Sequence, residues 1–369
     1  MDINLSNQHY RVRKAKQSDN QDLCRLLSTV LSESNITLVE KRDPDFFRLR
    51  RIQDPDCLFL IVESTSTNEV IGCVTFVTRI GWVAGRKVKI GYICDVRISA
   101  QHRRHSIIPR LFRQIAKEAL ANDYDFAYSS IVDSNEHASK IKVIGGGKLW
   151  TCYQMKSVTF FGNVDKPSIP VYRANVDDME EIAHFLQTQE SHRFGGYQIT
   201  KNTLEERFSE WEGFGIENFF YCRDDKGQIC ATAAPWDSSV LRRSCVMAYS
   251  GSMRWLKNLY NLEASLRRKM KLPKPGEHFH YLTLTHLNIA NDDPLFFNEL
   301  LRGIYQYFQN EPFHFMSAFI PEGSPLEKGF SGMRTQTVDF RLHIYLNSNS
   351  WVSTLDLKNY QPGFEMALH

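Results

Sequence analysis

The chain has 369 residues, a formal net charge of +3, 42% apolar residues and 24% charged residues. That length can bury two separate cores, and the composition is that of an ordinary water-soluble globular protein. So small a net charge gives no reason to expect a general nucleic-acid binder.

The first residues, Met1-Asp-Ile-Asn-Leu-Ser-Asn-Gln8, lack an apolar stretch preceded by positive charge and do not read as a signal peptide. No apolar run reaches membrane-spanning length. Eight cysteines are scattered without a Cys-x-x-Cys pair. In a chain this large that pattern favours reduced thiols and a cytoplasmic address over a disulfide framework or a metal site.

Taken in chain order, the elements are written twice. Tyr10-Arg-Val-Arg-Lys-Ala15 followed by Ser18 and Gln21 has an echo in Val171-Tyr-Arg-Ala174 followed by Asp177 and Glu180. Each reads as a short strand and then a helix opened by a capping box. Setting Ala15 on Ala174 gives an offset of 174 − 15 = 159. Near that offset Cys57–Glu63 with Val70–Val74 meets Phe219–Asp224 with Gln228–Thr232, a strand, a polar turn and a second strand in both cases.

The second copy then carries extra residues around Ser252–Phe279, after which the order resumes. Lys89–Ser99 and His280–Ala290 read as buried strands. Ser106–Ala121 and Pro294–Gln309 read as helices, with apolar stripes Ile107, Leu111, Ile115 and Phe297, Leu301, Ile304, Phe308. Phe126–Val132 and Phe313–Ile320 are strands again, each followed by a short helix and a long strand. Asn163–Pro170 is polar and twice interrupted by proline, as a linker is. The boundaries expected are 1–163, 169–350 and a tail over 351–369.

The chemistry-bearing stretch runs from Tyr92 to Phe112. A buried strand leads into the basic loop Arg103-Arg104-His105 and then a helix start. Amides at a helix start point outward and the helix dipole adds positive potential, so a phosphate-bearing ligand is the natural occupant. At the matching place the second copy has Asp292-Asp293-Pro294, which caps a helix and repels a diphosphate by several kcal/mol before screening.

This element order resembles the GNAT acyl-CoA N-acyltransferase superfamily, in two tandem copies with a degenerate second one. Arg103-Arg104-His105-Ser106-Ile107-Ile108 stands where that family carries Arg/Gln-x-x-Gly-x-Gly/Ala, with both glycines replaced. Cys94-Asp95-Val96-Arg97-Ile98 is similar to the family's fourth strand. Asn135-Glu-His-Ala138 resembles its Asn-x-x-Ala, and Gly146 the glycine that closes the same helix. The resemblance implies an α+β fold of two GNAT-like domains, each a mixed, mostly antiparallel twisted sheet flanked by helices.

It also implies that the loop amides of Arg103–Ile108 hold the CoA pyrophosphate, that Val96 and Ile98 offer main-chain groups to pantetheine and thioester, and that Asn135 helps position them. Lys142 fills the place of a tyrosine that protonates the departing thiolate in many members, and Asp95 is a base or an orienting residue. Cys94 reads as an inert core thiol, and Asp133 as a turn residue.

The implied activity moves an acyl group, acetyl or longer, from acyl-CoA to an amine on a small molecule or a protein, without a metal. Two competitors are a non-catalytic CoA-binding or protein-interaction module and an aminoacyl-tRNA-dependent transferase. The insert Ser252–Pro275 is amphipathic with a basic face, suiting an acidic partner, a phosphate-rich substrate or an anionic membrane. Its Trp255, Leu256, Leu259, Leu262 and Leu266 are expected to pack on the core as a lid would. Arg193–Tyr197 and Asp45–Arg51, aromatic stretches before the second strand of each copy, fit either a substrate cleft or ordinary packing.

Overall fold

The computed structural model describes residues 9–28, 35–102, 107, 111, 114, 115, 124–133, 147–365 and 368. The strands are β1 Tyr10–Lys14, β2 Ile36–Lys41, β3 Leu58–Ser64, β4 Val70–Val83, β5 Arg86–Ile98, β6 Phe126–Val132 and β7 Lys148–Thr159 in the first copy. The second copy adds β8 Val171–Arg173, β9 Gly196–Tyr197, β10 Phe220–Arg223, β11 Ile229–Trp236, β12 Arg243–Tyr249, β13 Tyr281–Ile289, β14 Phe315–Pro321 and β15 Thr335–Leu346. The helices are α1 Asn20–Leu27, α2 Arg48–Arg51, α3 Met179–Ser191, α4 Lys201–Glu210, α5 Met253–Leu266 and α6 Pro294–Phe308.

One sheet runs through the molecule in the order β1-β3-β4-β5-β6-β15-β7-β14-β13-β11-β10-β8, with β9 on β4, while β12 and β2 form a small second sheet. Neighbours are antiparallel except for two pairs, β5 with β6 and β13 with β14. The last strand of each copy crosses over: β15 lies on β6 and β7 lies on β14. The fold is α+β, and the exchange welds its halves into a single sheet.

Local sequence explains the key elements. The β4–β5 hairpin turns through Ala84 and Gly85, both at positive φ (50° and 73°). That pair makes the tight connection favoured by strand twist. Ile107, Leu111 and Ile115 are helical and fully buried beneath β3, β4 and β5, as their spacing predicts. In α6, Phe297, Leu301 and Ile304 are buried likewise. Asp293 accepts the Leu295 amide at 2.8 Å and Pro294 occupies the first turn. Asp292 does not cap; it sits at φ 49° and faces Arg193 at 3.7 Å.

Two expectations need correction. The helix starts are capped two residues earlier than the Ser18/Gln21 and Asp177/Glu180 spacing suggests. Lys16 N donates to Asp19 Oδ2 at 2.6 Å, and Asn175 N donates to Asp178 Oδ2 at 2.9 Å. A short 3-10 turn precedes α1 and α3; in both an aspartate three residues on reaches back to the first amide, and in the second Asn175 Oδ1 also accepts the Asp177 amide at 2.8 Å. The second correction concerns the insert. Its helix, α5, packs through Met253, Tyr260 and Ala264, while Trp255, Leu256, Leu259, Leu262 and Leu266 are exposed by 51–79%.

The tail after Leu346 is threaded into the protein. Val352 is fully buried, Phe364 packs among Tyr128, Trp150 and Tyr153, and the Leu368 side chain is buried between the copies.

Candidate active site at two matched strand splays

β5 and β6 pair in parallel only from Ile90–Phe126 to Ile93–Ser129, and then diverge. Beyond Ile93 the β5 backbone stays bonded to β4 on one side. Its other edge turns toward the wedge between the two strands. Opposite that wedge the ladder is irregular. Cys73 faces Arg97 and Thr75 faces Cys94, so Asp95 and Val96 together oppose one residue. Asp95 is at φ 51°, the left-handed conformation of a bulge. A bulge here re-aims the backbone that follows it, while Arg97 and Ile98 keep their register with Cys73 and Gly72 of β4.

What holds the bulge is a buried ion cluster. Asp95 Oδ1 accepts from Arg42 Nη2 at 2.7 Å and Arg50 Nη2 at 2.8 Å, and its Oδ2 accepts from Arg50 Nε at 2.9 Å. All three side chains are 2% exposed. Burial pushes the Asp95 carboxyl up, but the two guanidinium charges outweigh it and hold the carboxyl well below the ordinary range. Arg50 comes from the aromatic stretch Asp45–Arg51, whose Phe46, Phe47 and Leu49 are core residues. Cys94 is buried beside Asp95, and burial raises its thiol well above the ordinary value, as an inert thiol requires.

The second copy repeats the device. β13 and β14 pair in parallel from Tyr281–Phe315 to Thr283–Ser317 and then splay. Thr232 faces Asn288 and Ala234 faces Thr285, so the ladder shifts at the same place, with His286 at φ 50°. His286 Nε2 takes a hydrogen bond from Arg207 Nη1, and Arg207 can only donate. The imidazole is therefore neutral, with its Nδ1 proton given to Thr285 Oγ1 at 2.6 Å. Burial first and the Arg207 charge second depress its pKa well below the usual value.

A small pocket, with about 50 Å³ open to water-sized occupants, lies in this second wedge. Glu190, Arg193, Arg207, His286, Asn288 and Glu365 supply its polar wall. Glu190 Oε1 accepts from Asn288 Nδ2 at 3.0 Å, and Glu190 Oε2 from the Tyr197 amide at 2.7 Å. Asn288 is 1% exposed, and its Oδ1 has no hydrogen-bond partner among the described residues. A buried carbonyl oxygen without a donor is costly unless a ligand supplies one. Arg193 and Tyr197, the two ends of the second copy's aromatic stretch, line this pocket, while Phe194 is a core residue. Gly196 is needed there, since a Cβ would stand 2.0 Å from the Glu190 carbonyl oxygen.

The tail joins the two wedges. Glu365 Oε2 accepts the His286 amide at 2.8 Å. The Leu368 carbonyl accepts from Arg50 Nη1 and, at 3.1 Å, from Gln53 Nε2. Between them Phe364 lies 4.3 Å from the Tyr128 ring, which stacks on Tyr92 at 4.8 Å. The tail thus touches the His286 bulge directly and reaches the Asp95 cluster through Arg50.

Of the residues singled out in the sequence, Asp95, Val96 and Ile98 lie on the splayed part of β5. The Ile107 side chain is buried in the core below it. Arg103, Arg104, His105, Ser106, Ile108, Asn135 and Lys142 lie outside the described residues. Asp133 forms an ion pair with Arg341 at the end of β6. Sequence reasoning missed Arg42, Arg207, His286, Asn288 and Glu365. The one available signal was the order resumed after the insert, which sets His280–Ala290 beside Lys89–Ser99 and so gives the β5 segment a counterpart.

A parallel pair that splays beside a bulged strand, present in both halves, gives the molecule a GNAT-like fold. Residues 11–130 match the family model of the GNAT acetyltransferase domain. Saccharomyces cerevisiae N-myristoyltransferase with bound myristoyl-CoA is similar over 99% of this chain and 91% of that one, with TM-score 0.64 at 10% identity. A GCN5-related N-acetyltransferase from Sphaerobacter thermophilus is similar over 98% and 99%, with TM-score 0.57 at 12% identity. No curated protein matches the sequence. At such identities the likenesses show the fold alone, a two-lobed GNAT-like arrangement in which the family-model match falls on residues 11–130.

Proposed function

We propose that the chain is an N-acyltransferase that binds acyl-CoA in the first splay and an amine acceptor in the second. The observation that carries this reading is the one-sided β5 edge after Ile93, aimed by the Asp95 bulge. Main-chain N–H groups of Val96 or Ile98 would polarise the thioester carbonyl. The acceptor nitrogen attacks the carbonyl carbon, the C–S bond breaks, and the amine proton leaves through water. The thiolate then takes a proton, for which Lys142 is the candidate donor.

Asp95 is assigned a positioning role in this scheme. A carboxylate clamped by two buried arginines is a poor proton acceptor, and it fixes the backbone that meets the donor. Arg103, Arg104 and His105, with the amides of Ser106, Ile107 and Ile108, would hold the diphosphate, and Asn135 the pantetheine end. The acceptor assignment rests on the second pocket. Asn288 Oδ1 would accept from the bound amine, and Glu190 would complement its charge before deprotonation. S. cerevisiae N-myristoyltransferase holds myristoyl-CoA, which supports acyl-CoA as the donor here but leaves its length, acetyl included, to experiment.

Thiol release should be followed with acyl-CoAs from acetyl to long-chain, against small amines and N-terminal peptides. Amine-dependent release that is lost in Arg103→Glu supports the reading. Tight CoA binding without release would make the chain a binding module. Salt-sensitive tRNA binding without CoA binding would make it a tRNA-dependent transferase.

A further inference from the structure

α5 is amphipathic the wrong way round for a packing helix. At 100° per residue, Met253, Lys257, Tyr260 and Ala264 share the inward side. Tyr260 packs against Phe161 with tilted rings 4.5 Å apart, Lys257 lies over the Tyr249 ring, and Ala264 is fully buried. Opposite them Trp255, Leu259, Leu262 and Leu266 form a straight stripe with Leu256 at its edge, exposed by 76%, 65%, 63%, 79% and 51%. Scattered exposed apolar residues are common, but a tryptophan and three leucines in register on one helix mark a surface that binds something.

Charge selects the occupant. Arg254 and Arg267 fall on the two flanks of the stripe, and Arg268, Lys269, Lys271 and Lys274 follow it. Against these basic groups stand Glu263, already paired with Arg267 at 2.8 Å, and Glu277, which accepts the Lys274 amide at 2.7 Å. Two copies meeting through this face would bring like charges together, and a neutral apolar groove would leave the basic rim unmatched. An apolar stripe with tryptophan, bordered by arginine and lysine, matches a bilayer with anionic headgroups.

We propose that α5 is a membrane-surface helix that seats Trp255, Leu259, Leu262 and Leu266 in the headgroup region of an anionic bilayer. The helix lies flat and does not span; no helix among the described residues is long and apolar enough to cross a membrane. Docking would bring the whole chain to the surface without calling on either splay, so it stands or falls apart from acyl transfer.

The test is flotation of the full chain with vesicles of phosphatidylcholine alone and with added phosphatidylserine. Expected is binding to the anionic vesicles that weakens with salt. Leu259→Ser with Leu262→Ser should reduce it by about tenfold or more, and Arg268→Glu with Lys271→Glu should remove its salt dependence. The leucine variant should keep the wild-type melting midpoint, because those side chains touch no core; a clear fall in midpoint would overturn the premise. Equal binding by wild type and variants would overturn the proposal. So would binding to neither vesicle, whether α5 instead joins two copies or takes an acidic protein.

Discussion

Asp95 and His286 occupy the same place in the two copies. Each is the left-handed residue of a bulge, at φ 51° and 50°, on the strand that splays from its parallel neighbour. Their ladder partners agree as well. Cys73 and Thr75 become Thr232 and Ala234 at the 159-residue offset, while Cys94 and Arg97 become Thr285 and Asn288 at 191. The chemistry at the bulge has diverged, from a carboxylate clamped by two arginines to a neutral imidazole clamped by one. The backbone device is shared and the side chains around it differ, as the proposed split between donor and acceptor duties would need.

Asp95→Asn keeps a residue that tolerates the left-handed conformation but leaves Arg42 and Arg50 buried without a counter-charge. Stability should fall by about 3–5 kcal/mol, the cost of a buried ion pair stripped of one partner. Urea unfolding at neutral pH measures it, and an unchanged midpoint would mean that the cluster does not hold the bulge.

Glu365→Ala removes the acceptor of the His286 amide. A loss of about 1–3 kcal/mol is expected. Glu365→Gln, which retains a carbonyl oxygen at the same reach, should lose much less. Thermal melts of the two variants side by side check this, and equal losses would assign the effect to the carboxylate's charge instead.

Stability should also fall on mild acidification. His286 has a depressed pKa in the folded state, from burial and then Arg207, and His314 and His278 are lowered chiefly by burial. Below about pH 6.5 the unfolded chain binds protons at these rings that the folded chain refuses, so stability declines as pH drops. His286→Asn should make that decline shallower by up to about 1.4 kcal/mol per pH unit. Asp95 and Asp19 are depressed, so their contribution persists until pH falls below the usual carboxylate range. Denaturant titrations between neutral and mildly acidic pH report the slope.

Asn288→Ala deletes the Oδ1 that has no hydrogen-bond partner among the described residues. The acceptor KM should rise about tenfold, the worth of one hydrogen bond, while the acyl-CoA KM stays put. A rise in the donor KM alone would reverse the assignment of the two wedges.

The sequence made the repeat and most strands legible, because hydrophobic alternation and the offset are local signals. Phe126–Val132 is a strand over those same residues. The strand exchange of β7 and β15 was not legible, since either strand satisfies the same pattern against either partner. Arg50 was visible only as part of a basic aromatic stretch; that it meets Asp95 follows from a helical turn 45 residues away. The α5 stripe misled for a physical reason. Periodicity reports that an apolar face exists, but not whether protein or lipid covers it.

Hydrogen–deuterium exchange of the full chain with and without a bound acyl-CoA tests the division of labour most directly. Slowed exchange at the amides of residues 94–98, with residues 285–289 unchanged until an amine acceptor is added, is the result this account requires. Protection confined to residues 285–289 on adding the acyl-CoA alone would contradict it.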